Sequence, residues 1–225
     1  MSRIALIAGA TGLVGSALLD LLLKSSHYTK VISLQRAQST LVNPKLVTIQ
    51  TDFSNLDEII IPDVSDVFCC LGTTIKKAGS KEQFIKVDFD FPLALAHRAL
   101  KANAKHFLIV TAMGADEKSF FFYNQVKGRI EKALTDLKEI ARVSILRPSL
   151  LLGDRKEKRM GEIIGTGFAK IVNPLMIGSL RKYQGIQSTD VAKAMYFLAL
   201  YSVESGVRIY PSDEIKNIAA SVKTV

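Results

Sequence analysis

Residues 9–15 read GATGLVG, and they lie between an apolar run at 3–8 and a Leu-rich stretch at 16–24. The apolar run has the length of a β-strand, whereas Leu recurs at helical spacing in the stretch that follows. The same letters superficially match a secretory signal peptide, but a strand, a glycine turn and a helix explain them without any cleavage. This order predicts the first strand-turn-helix unit of an α/β fold.

The three glycines of this segment predict a nucleotide-binding turn. In a G-x-x-G-x-x-G arrangement, the first glycine permits the sharp turn, the second lets the backbone approach a pyrophosphate, and the third allows close helix packing. The N-terminus of the helix then stabilises the phosphate charge. A merely structural turn is the alternative. The predicted cofactor contacts of this loop are Gly9, Thr11, Gly12, Leu13, Val14 and Gly15.

The alternation of strand and helix continues along the chain. Apolar strands are predicted at 31–34, 46–49, 64–71, 106–110, 143–146 and 207–210, and helices at 81–102, at 124–138, from about 188, and at the C-terminus. Apolar strands that alternate with helices favour a parallel sheet covered on both faces, with ligands at the carboxyl ends of the strands. We therefore predict an α/β fold with a doubly wound parallel sheet in one domain, 1–225, to which 151–225 contribute a small C-terminal substrate lobe.

The residues after strand two predict which dinucleotide binds. An acidic residue there would accept hydrogen bonds from a ribose 2′-hydroxyl, but this chain has Gln35 and Arg36. A guanidinium is suited to paired bonds with phosphate oxygens. We predict NADP(H) rather than NAD(H), with Arg36 on the 2′-phosphate; an ordinary surface Arg is the alternative. Further predicted contacts are Asp52 and Phe53 at the adenine, and Leu71, Gly72 and Thr73 along the adenosine ribose.

A Tyr and a Lys four residues apart are the predicted reacting pair. Tyr123 and Lys127 share one face of a helix, so the ammonium can favour the ionised form of the phenol. The Tyr would protonate a carbonyl oxygen as hydride arrives, while Lys127 also reaches the nicotinamide ribose. Thr111, at the end of strand five, could orient the same oxygen. The alternative is a half-buried Tyr beside a snorkelling Lys.

Composition bounds the classes of partner. The 225 residues are 48% hydrophobic with 14 Gly and 6 Pro, which excludes a disordered or low-complexity chain. The net charge of +9 is spread, with +5 in 1–150 and +4 in 151–225, whereas nucleic-acid-binding proteins usually concentrate such an excess. We predict no nucleic-acid partner, and a solvated loop at the densest basic run, 155–159.

Cysteine and histidine usage predicts neither a disulfide nor a metal site. Cys69 and Cys70 are adjacent, so on a strand they point to opposite faces. His27, His97 and His106 share no metal-ligand spacing. Apart from the N-terminal stretch described above, no apolar stretch of the sequence approaches the roughly 18 to 20 residues of a membrane span. We expect a soluble, cytoplasmic monomer or homodimer that takes a small-molecule substrate and has no membrane partner.

Five motifs resemble the short-chain dehydrogenase/reductase superfamily in its extended or atypical branch. They are GATGLVG at 9–15, CCLGTT at 69–74, TAMGAD at 111–116, YNQVK at 123–127 and RPSLLLG at 147–153. The chain is most similar to the Tat-interacting-protein-like group, including the VKG after the Tyr and the GDR string that ends at Arg155. The resemblance covers about residues 3–200.

This resemblance implies a Rossmann-type fold, NADP(H) binding, and Tyr123, Lys127 and Thr111 in the catalytic places. Pro148 and Ser149 would pass the nicotinamide ring.

The chain departs from the family pattern at two positions. Thr111 stands at the family's serine position and is followed by Ala112, where relatives often carry a second hydroxyl. Asp88 stands where extended members often have Asn, which affects a proton relay through that position.

Two functions from different classes follow. The first is an NADP(H)-dependent oxidoreductase that reduces a small carbonyl, or that performs an epimerase-like oxidation and reduction. The second is an NADP(H)-loaded regulatory sensor with little or no turnover that contacts protein partners, because the group includes members with regulatory roles.

Overall fold

The computed structural model describes residues 3–153 and 184–221, and a seven-stranded parallel sheet organises them. The strands are β1 Arg3–Ala8, β2 Tyr28–Gln35, β3 Leu46–Gln50, β4 Asp66–Cys69, β5 His106–Val110, β6 Arg142–Arg147, the short β7 Leu151–Leu152 and β8 Ile186–Gln187, and β9 Gly206–Pro211. The sheet order is β3-β2-β1-β4-β5-β6-β9, while β7 and β8 pair separately. All pairs are parallel, so the carboxyl ends of the seven strands meet at one edge of the sheet, which we call the carboxyl edge. Their amino ends meet at the opposite edge, the amino edge. The order reverses between β1 and β4, where open α/β sheets bind ligands.

Helices cover both faces of this sheet. They are α1 Leu13–Lys24, α2 Ile75–Ala78, α3 Lys81–Ile85, α4 Phe91–Lys101, α5 Phe122–Asp136, α6 Ser188–Tyr201 and α7 Ser212–Ser221. A π turn, Lys86–Asp90, joins α3 to α4 and thus divides the helix predicted over 81–102. Pro92 lies in the first turn of α4, directly after this π turn.

Two buried apolar clusters sandwich the sheet. One packs α1, α6 and α7 against side chains such as Ile7 and Leu108, and the other packs α4 and α5 against Leu6 and Phe107. Consecutive strand residues therefore enter opposite clusters, as the pleat of a strand requires. Every residue of β5 is buried, which explains why its sequence is apolar without alternation. The doubly wound parallel sheet predicted from the sequence is confirmed.

The C-terminal part of the chain contributes more to the main fold than a lobe would. Strand β9 joins the large sheet beside β6, and buried residues of α6 and α7, such as Met195 and Ile215, complete one of the two clusters. The part of the predicted substrate lobe, 151–225, that forms α6, β9 and α7 therefore belongs to the main fold. Residues 154–183 and 222–225 of the predicted lobe, with the basic run 155–159, lie outside the described residues.

Within the two described ranges, no helix is both long and apolar enough to cross a membrane. In the same ranges, no three His, Cys, Asp or Glu side chains are grouped as metal ligands would be.

Candidate functional site

The glycine loop packs directly against the end of β4. Gly9 has φ +86°, and a Cβ there would lie 2.5 Å from the carbonyl carbon and oxygen of Cys70. A Cβ on Gly15 would lie 2.1 Å from the Gly9 carbonyl oxygen, whereas one on Gly12 would lie at 3.4 Å, an ordinary contact. Gly9 and Gly15 are therefore required by the fold, while nothing in the fold demands a glycine at Gly12, which starts α1 as its exposed N-cap.

Arg36 lies at the carboxyl edge, directly after β2. Its side chain is exposed, and its guanidinium has no partner among the residues that the structure describes. Its backbone is held, because the carbonyl oxygen accepts a hydrogen bond from Gln50 Nε2 at 3.1 Å. Gln35, just before it, is buried and bonded to Ser33. A fixed backbone thus presents a free cation beside the glycine loop.

The two residues predicted to lie at the adenine, Asp52 and Phe53, follow β3 and differ in exposure. Asp52 is exposed, and hydrogen bonds from the hydroxyl and N–H of Ser54 lower the pKa of its carboxylate. Phe53 is 5% exposed, has φ +70°, and stacks on Phe91 with ring centroids 5.6 Å apart. The ring that was predicted to lie beside the adenine is therefore part of the core, and Asp52 is the group that this turn exposes.

A buried ion pair lies beneath the loop that follows β4. Lys127 Nζ lies 2.7 Å from Asp88 Oδ1, and the two side chains are 5% and 0% exposed. The other oxygen of Asp88 accepts a hydrogen bond from the Thr73 N–H at 2.9 Å. A Cβ on Gly72 would lie 3.9 Å from Lys127 Nζ, so Lys127 reaches the loop predicted to follow the adenosine ribose.

The π turn explains how Asp88 reaches this pair. One turn of wider helix, Lys86–Asp90, carries Asp88 at its centre. Such turns are rare and occur most often at functional sites. Here the turn aims a carboxylate at Lys127 and the β4 loop together. The position noted as a departure from Asn therefore carries a charge that neutralises the Lys.

Lys127 remains an ammonium in this environment. Burial lowers its pKa, but the charge of Asp88 and the neighbouring Tyr123 outweigh burial, so the pKa lies above its ordinary value. Tyr123 is half-buried one helical turn earlier, and its ring packs against Phe84 with centroids 5.6 Å apart. The helix thus brings the predicted reacting pair together on one face, as the spacing indicates.

Thr111 is brought into a different network. Its hydroxyl donates to Glu131 Oε1 at 2.6 Å, and Thr111 is 5% exposed. Glu131 in turn binds Arg147 through both carboxylate oxygens. No hydrogen bond joins Thr111 to Tyr123 within the described part of the chain. The structure therefore places Thr111 at the predicted edge but commits its hydroxyl to a carboxylate.

Pro148 and Ser149 lie in the loop after β6, at the same edge. The Pro148 carbonyl oxygen accepts a hydrogen bond from the Met113 N–H at 3.0 Å, which ties this loop to the one after β5. The Ser149 hydroxyl donates to the Gln184 carbonyl oxygen and accepts from Ser212 at 3.0 Å. Ser149 thus offers its backbone, rather than a free hydroxyl, to a ligand.

A family model assigns the architecture. The HIM1 model matches residues 24–175, which is more than half of the chain. The chain belongs to the HIM1 family.

Two relatives show the extent of this likeness. Protein HTATIP2 of Rattus norvegicus is 39% identical over 173 residues, which cover 72% of this chain and 68% of that protein. The mitochondrial protein FMP52 of Eremothecium gossypii is 34% identical over 223 residues, which cover 98% of this chain and 99% of that protein. These relatives confirm the resemblance to the Tat-interacting-protein-like group of atypical short-chain dehydrogenases/reductases.

Solved structures share the fold of this HIM1 member. A short chain dehydrogenase family protein of Francisella tularensis superposes with a TM-score of 0.67 at 17% identity, over 95% of this chain and 99% of that one. The human epimerase family protein SDR39U1, solved with NADPH, superposes with a TM-score of 0.64 at 21% identity, over 92% and 73%.

The relatives correct one prediction made from the sequence. Several HIM1-family relatives, such as FMP52 of Eremothecium gossypii and of Emericella nidulans, are named mitochondrial proteins. The cytoplasmic location predicted for this chain is therefore wrong. The prediction rested on adjacent cysteines and on the absence of a long apolar run, and neither feature distinguishes one reducing compartment from another.

One buried residue at this edge of the HIM1 member, Glu131, escaped the sequence reasoning. Glu131 lies one turn beyond Lys127 and two beyond Tyr123, on the same helical face. An acidic residue on a face that also carries Val126 and Ile130 in the core is a detectable signal, because unpaired carboxylates are rarely buried. Its partners, 16 and 20 residues away along the chain, are visible only in the fold.

Proposed function

We propose that this protein is an NADP(H)-dependent oxidoreductase that reduces a small carbonyl, with Tyr123 as the proton donor. The observation that carries the proposal is the buried Lys127–Asp88 pair, which joins the helix of Tyr123 to the loop after β4. Burial of a charged pair requires a compensating arrangement and is uncommon without a structural or chemical reason. Membership of a dehydrogenase/reductase superfamily supports the chemical reason.

The residues at the carboxyl edge fit a dinucleotide. Cβ atoms at Gly9 and Gly15 would clash with backbone, so the loop stays compact, and the exposed N-cap Gly12 leaves the N-terminus of α1 open to a pyrophosphate. Arg36 supplies an unpaired cation for a 2′-phosphate. SDR39U1 was solved with NADPH, which supports a nicotinamide cofactor, and the choice of NADP(H) rests on Arg36.

Each reacting group has a distinct task. The bound cofactor would supply a hydride to the carbonyl carbon. Tyr123 gives its phenolic proton to the carbonyl oxygen, so that the substrate leaves as an alcohol. Lys127, held as an ammonium by Asp88, stabilises the resulting phenolate and donates to ribose hydroxyls near the Gly72 loop. Pro148 and Ser149 would line the nicotinamide with backbone atoms.

The second candidate, a cofactor-loaded sensor with little turnover, is favoured by one observation. The hydroxyl of Thr111 donates to Glu131, so the group predicted to orient the substrate oxygen is engaged elsewhere. A site with only one available donor would hold the cofactor well and react slowly.

The test combines a fluorescence titration with NADPH and NADH and a turnover screen with aldehydes, ketones and quinones. We expect tighter binding of NADPH, and turnover that falls at least about hundredfold in Tyr123→Phe, as loss of a general acid does. The matched control is Tyr201→Phe, because Tyr201 is exposed at the end of α6, away from this edge. Tight NADPH binding without turnover on any carbonyl would favour the sensor. Equal turnover in Tyr123→Phe would remove the proposed acid.

A further inference from the structure

The buried Thr111 and Glu131 and the partly exposed Arg147 form a cluster that we name the carboxylate clamp. Thr111 Oγ1 donates to Glu131 Oε1 at 2.6 Å, and Arg147 Nε donates to the two Glu131 oxygens at 3.1 and 3.0 Å. The Glu131 side chain is 5% exposed. Multiple charge-assisted hydrogen bonds hold a buried carboxylate in one orientation. The clamp therefore fixes the carboxyl ends of β5 and β6 to helix α5.

The clamp occupies the only proton that the Thr111 hydroxyl can donate. The Glu131 oxygen at 2.6 Å is its nearer acceptor, and the Leu146 carbonyl oxygen lies at 3.3 Å. A carbonyl substrate is a neutral acceptor and would have to displace a carboxylate. Hydrogen bonds to ionised acceptors are about twice as strong as those between neutral groups, so the proton stays with Glu131.

Ala112 follows Thr111 after the end of β5 and differs from it in exposure. Thr111 is buried, whereas Ala112 is partly exposed. The Thr111 N–H still continues the strand ladder to the Leu146 carbonyl oxygen at 2.8 Å, so the backbone is extended as far as Thr111. Successive side chains of an extended segment point to opposite sides. The accessible side at this point of the edge therefore carries a methyl group, without a hydroxyl.

We infer that Glu131 is a positioning residue for the proposed reduction, and that position 112, rather than Thr111, is where a second hydroxyl would reach the reacting oxygen. Glu131 acts through its two partners. It holds Arg147, which is followed by the Pro148 loop, and it withdraws Thr111 from the substrate. This inference rests on the proposed function, since it concerns the same reacting oxygen.

A double-variant cycle separates this arrangement from direct action by Thr111. We expect Thr111→Val and Glu131→Gln each to lower kcat about tenfold, because small displacements of reacting groups have effects of this size or larger. Both variants change the same hydrogen bond, because Val removes its donor and Gln replaces its ionised acceptor by a neutral amide, so the double variant should fall less than about twofold below the worse single one. A loss in the double variant equal to the product of the single losses, about hundredfold, would show that Thr111 acts on the substrate independently.

The matched control for the clamp is Asp66→Asn at the other edge of the sheet. Asp66 pairs with Arg3 and is fully buried, so this change also neutralises a buried carboxylate in an ion pair. We expect Asp66→Asn to lower the thermal midpoint, as Glu131→Gln does, while kcat stays within twofold of the wild type and the NADPH Kd is unchanged in both. An equal loss of kcat in Asp66→Asn would reduce Glu131 to a structural residue.

The gain-of-function arm is Ala112→Ser. Removal of one oriented hydrogen-bond donor from such sites lowers kcat by about a hundredfold or more. We expect the hydroxyl that Ala112→Ser introduces to raise kcat about tenfold on the best carbonyl of the screen, with KM for NADPH unchanged. A wild type that binds NADPH without turnover contradicts the proposed function. Turnover in Ala112→Ser alone would still support the inference, whereas no gain in Ala112→Ser over the wild type overturns it.

Discussion

The two edges of the same sheet both bury charged side chains, but they hold them in different ways. At the amino edge, Arg3 binds Asp66 at 2.8 Å, and the Tyr28 hydroxyl donates to the same carboxylate at 2.7 Å. His106 and Ser144 share a hydrogen bond of 2.8 Å, and Arg142 donates to the Ser202 carbonyl oxygen. Five of these residues are the first of their strands, so they form a row across β2, β1, β4, β5 and β6.

At the carboxyl edge, similar pairs support loops that remain open. The Lys127–Asp88 pair holds the loop after β4, and the clamp holds the loop after β6. Beside them lie groups without partners in the described residues, above all the exposed Arg36. Burial of an ion pair alone therefore does not mark the site, because both edges contain such pairs; the Lys127–Asp88 pair is informative because it joins the helix of Tyr123 to the loop after β4. What distinguishes the carboxyl edge is the combination of buried pairs with a glycine loop and an unpaired cation.

The largest expected effect comes from the glycine loop. In Gly15→Ala the new Cβ would meet the Gly9 carbonyl oxygen at 2.1 Å, and backbone cannot yield as a side chain can. We expect unfolding by urea to show a loss of about 3 kcal/mol, at the upper end of overpacking effects, and NADPH binding to be abolished.

Gly12→Ala is the matched control in the same loop. Its Cβ would make an ordinary contact at 3.4 Å, and Gly12 has φ −81°, which any residue adopts. We expect a stability change below about 1 kcal/mol, but NADPH binding weakened at least about tenfold, because the methyl group would occupy the approach to the pyrophosphate. A stable Gly12→Ala protein with unchanged NADPH affinity would remove the loop from the binding site.

Neutralising one carboxylate at each edge gives the next largest effect. Asp88→Asn leaves Lys127 buried without its counter-charge, and we expect a loss of about 3 kcal/mol in the free energy of unfolding. Asp66→Asn leaves Arg3 without its counter-charge, but the Arg3 side chain is 26% exposed and therefore partly hydrated. The free energy of unfolding should fall less in this variant, by about 2 kcal/mol. Only Asp88→Asn should change NADPH affinity in a fluorescence titration. An effect of Asp66→Asn on NADPH would erase the distinction between the edges.

The amino edge should make stability depend on pH through His106. Burial, together with the charges of Arg142 and Arg3, lowers the pKa of His106 to about 3. Between this value and the ordinary pKa of about 6.5, the unfolded chain binds a proton that the folded protein does not, so stability falls as the pH falls. The slope is about 1.4 kcal/mol per pH unit, or about 2 kcal/mol from pH 6.5 to pH 5.

Urea unfolding at several pH values measures this slope. His106→Gln retains a donor for Ser144 but cannot gain the proton, so its slope over this interval should be lower by that amount. His27 and His97 are exposed and present in both proteins, so they cancel. Equal slopes in the two proteins would contradict the assignment of the titration to His106.

The fold was predictable because it depends on local patterns. Strand-length apolar runs and helical Leu spacing lie within short windows of sequence, and the sheet direction follows from their alternation. The glycine loop, Arg36 and the Tyr123–Lys127 pair were placed at the correct edge for the same reason, since each follows a predicted strand or begins a predicted helix.

The parts that escaped prediction depend on distant partners. Lys127 and Asp88 are far apart along the chain and meet only because a π turn redirects Asp88. Glu131 captures the proton of Thr111 from another element, which no spacing rule indicates. Phe53 turns into the core through a left-handed backbone conformation, which is uncommon for a bulky residue.

The smallest expected effect comes from Arg36, which is exposed at the carboxyl edge. Removal of the guanidinium in Arg36→Ala should weaken NADPH binding about tenfold, equivalent to about 1.4 kcal/mol, and leave NADH binding unchanged, because only NADPH carries the 2′-phosphate. Raising the salt concentration should shrink this difference, since exposed charges are screened. Lys30→Ala is the matched control: it removes another exposed positive charge, from β2 itself and toward the amino edge. If Lys30→Ala weakened NADPH binding as much as Arg36→Ala does, the attraction would come from the net charge of +9 rather than from a site at the carboxyl edge.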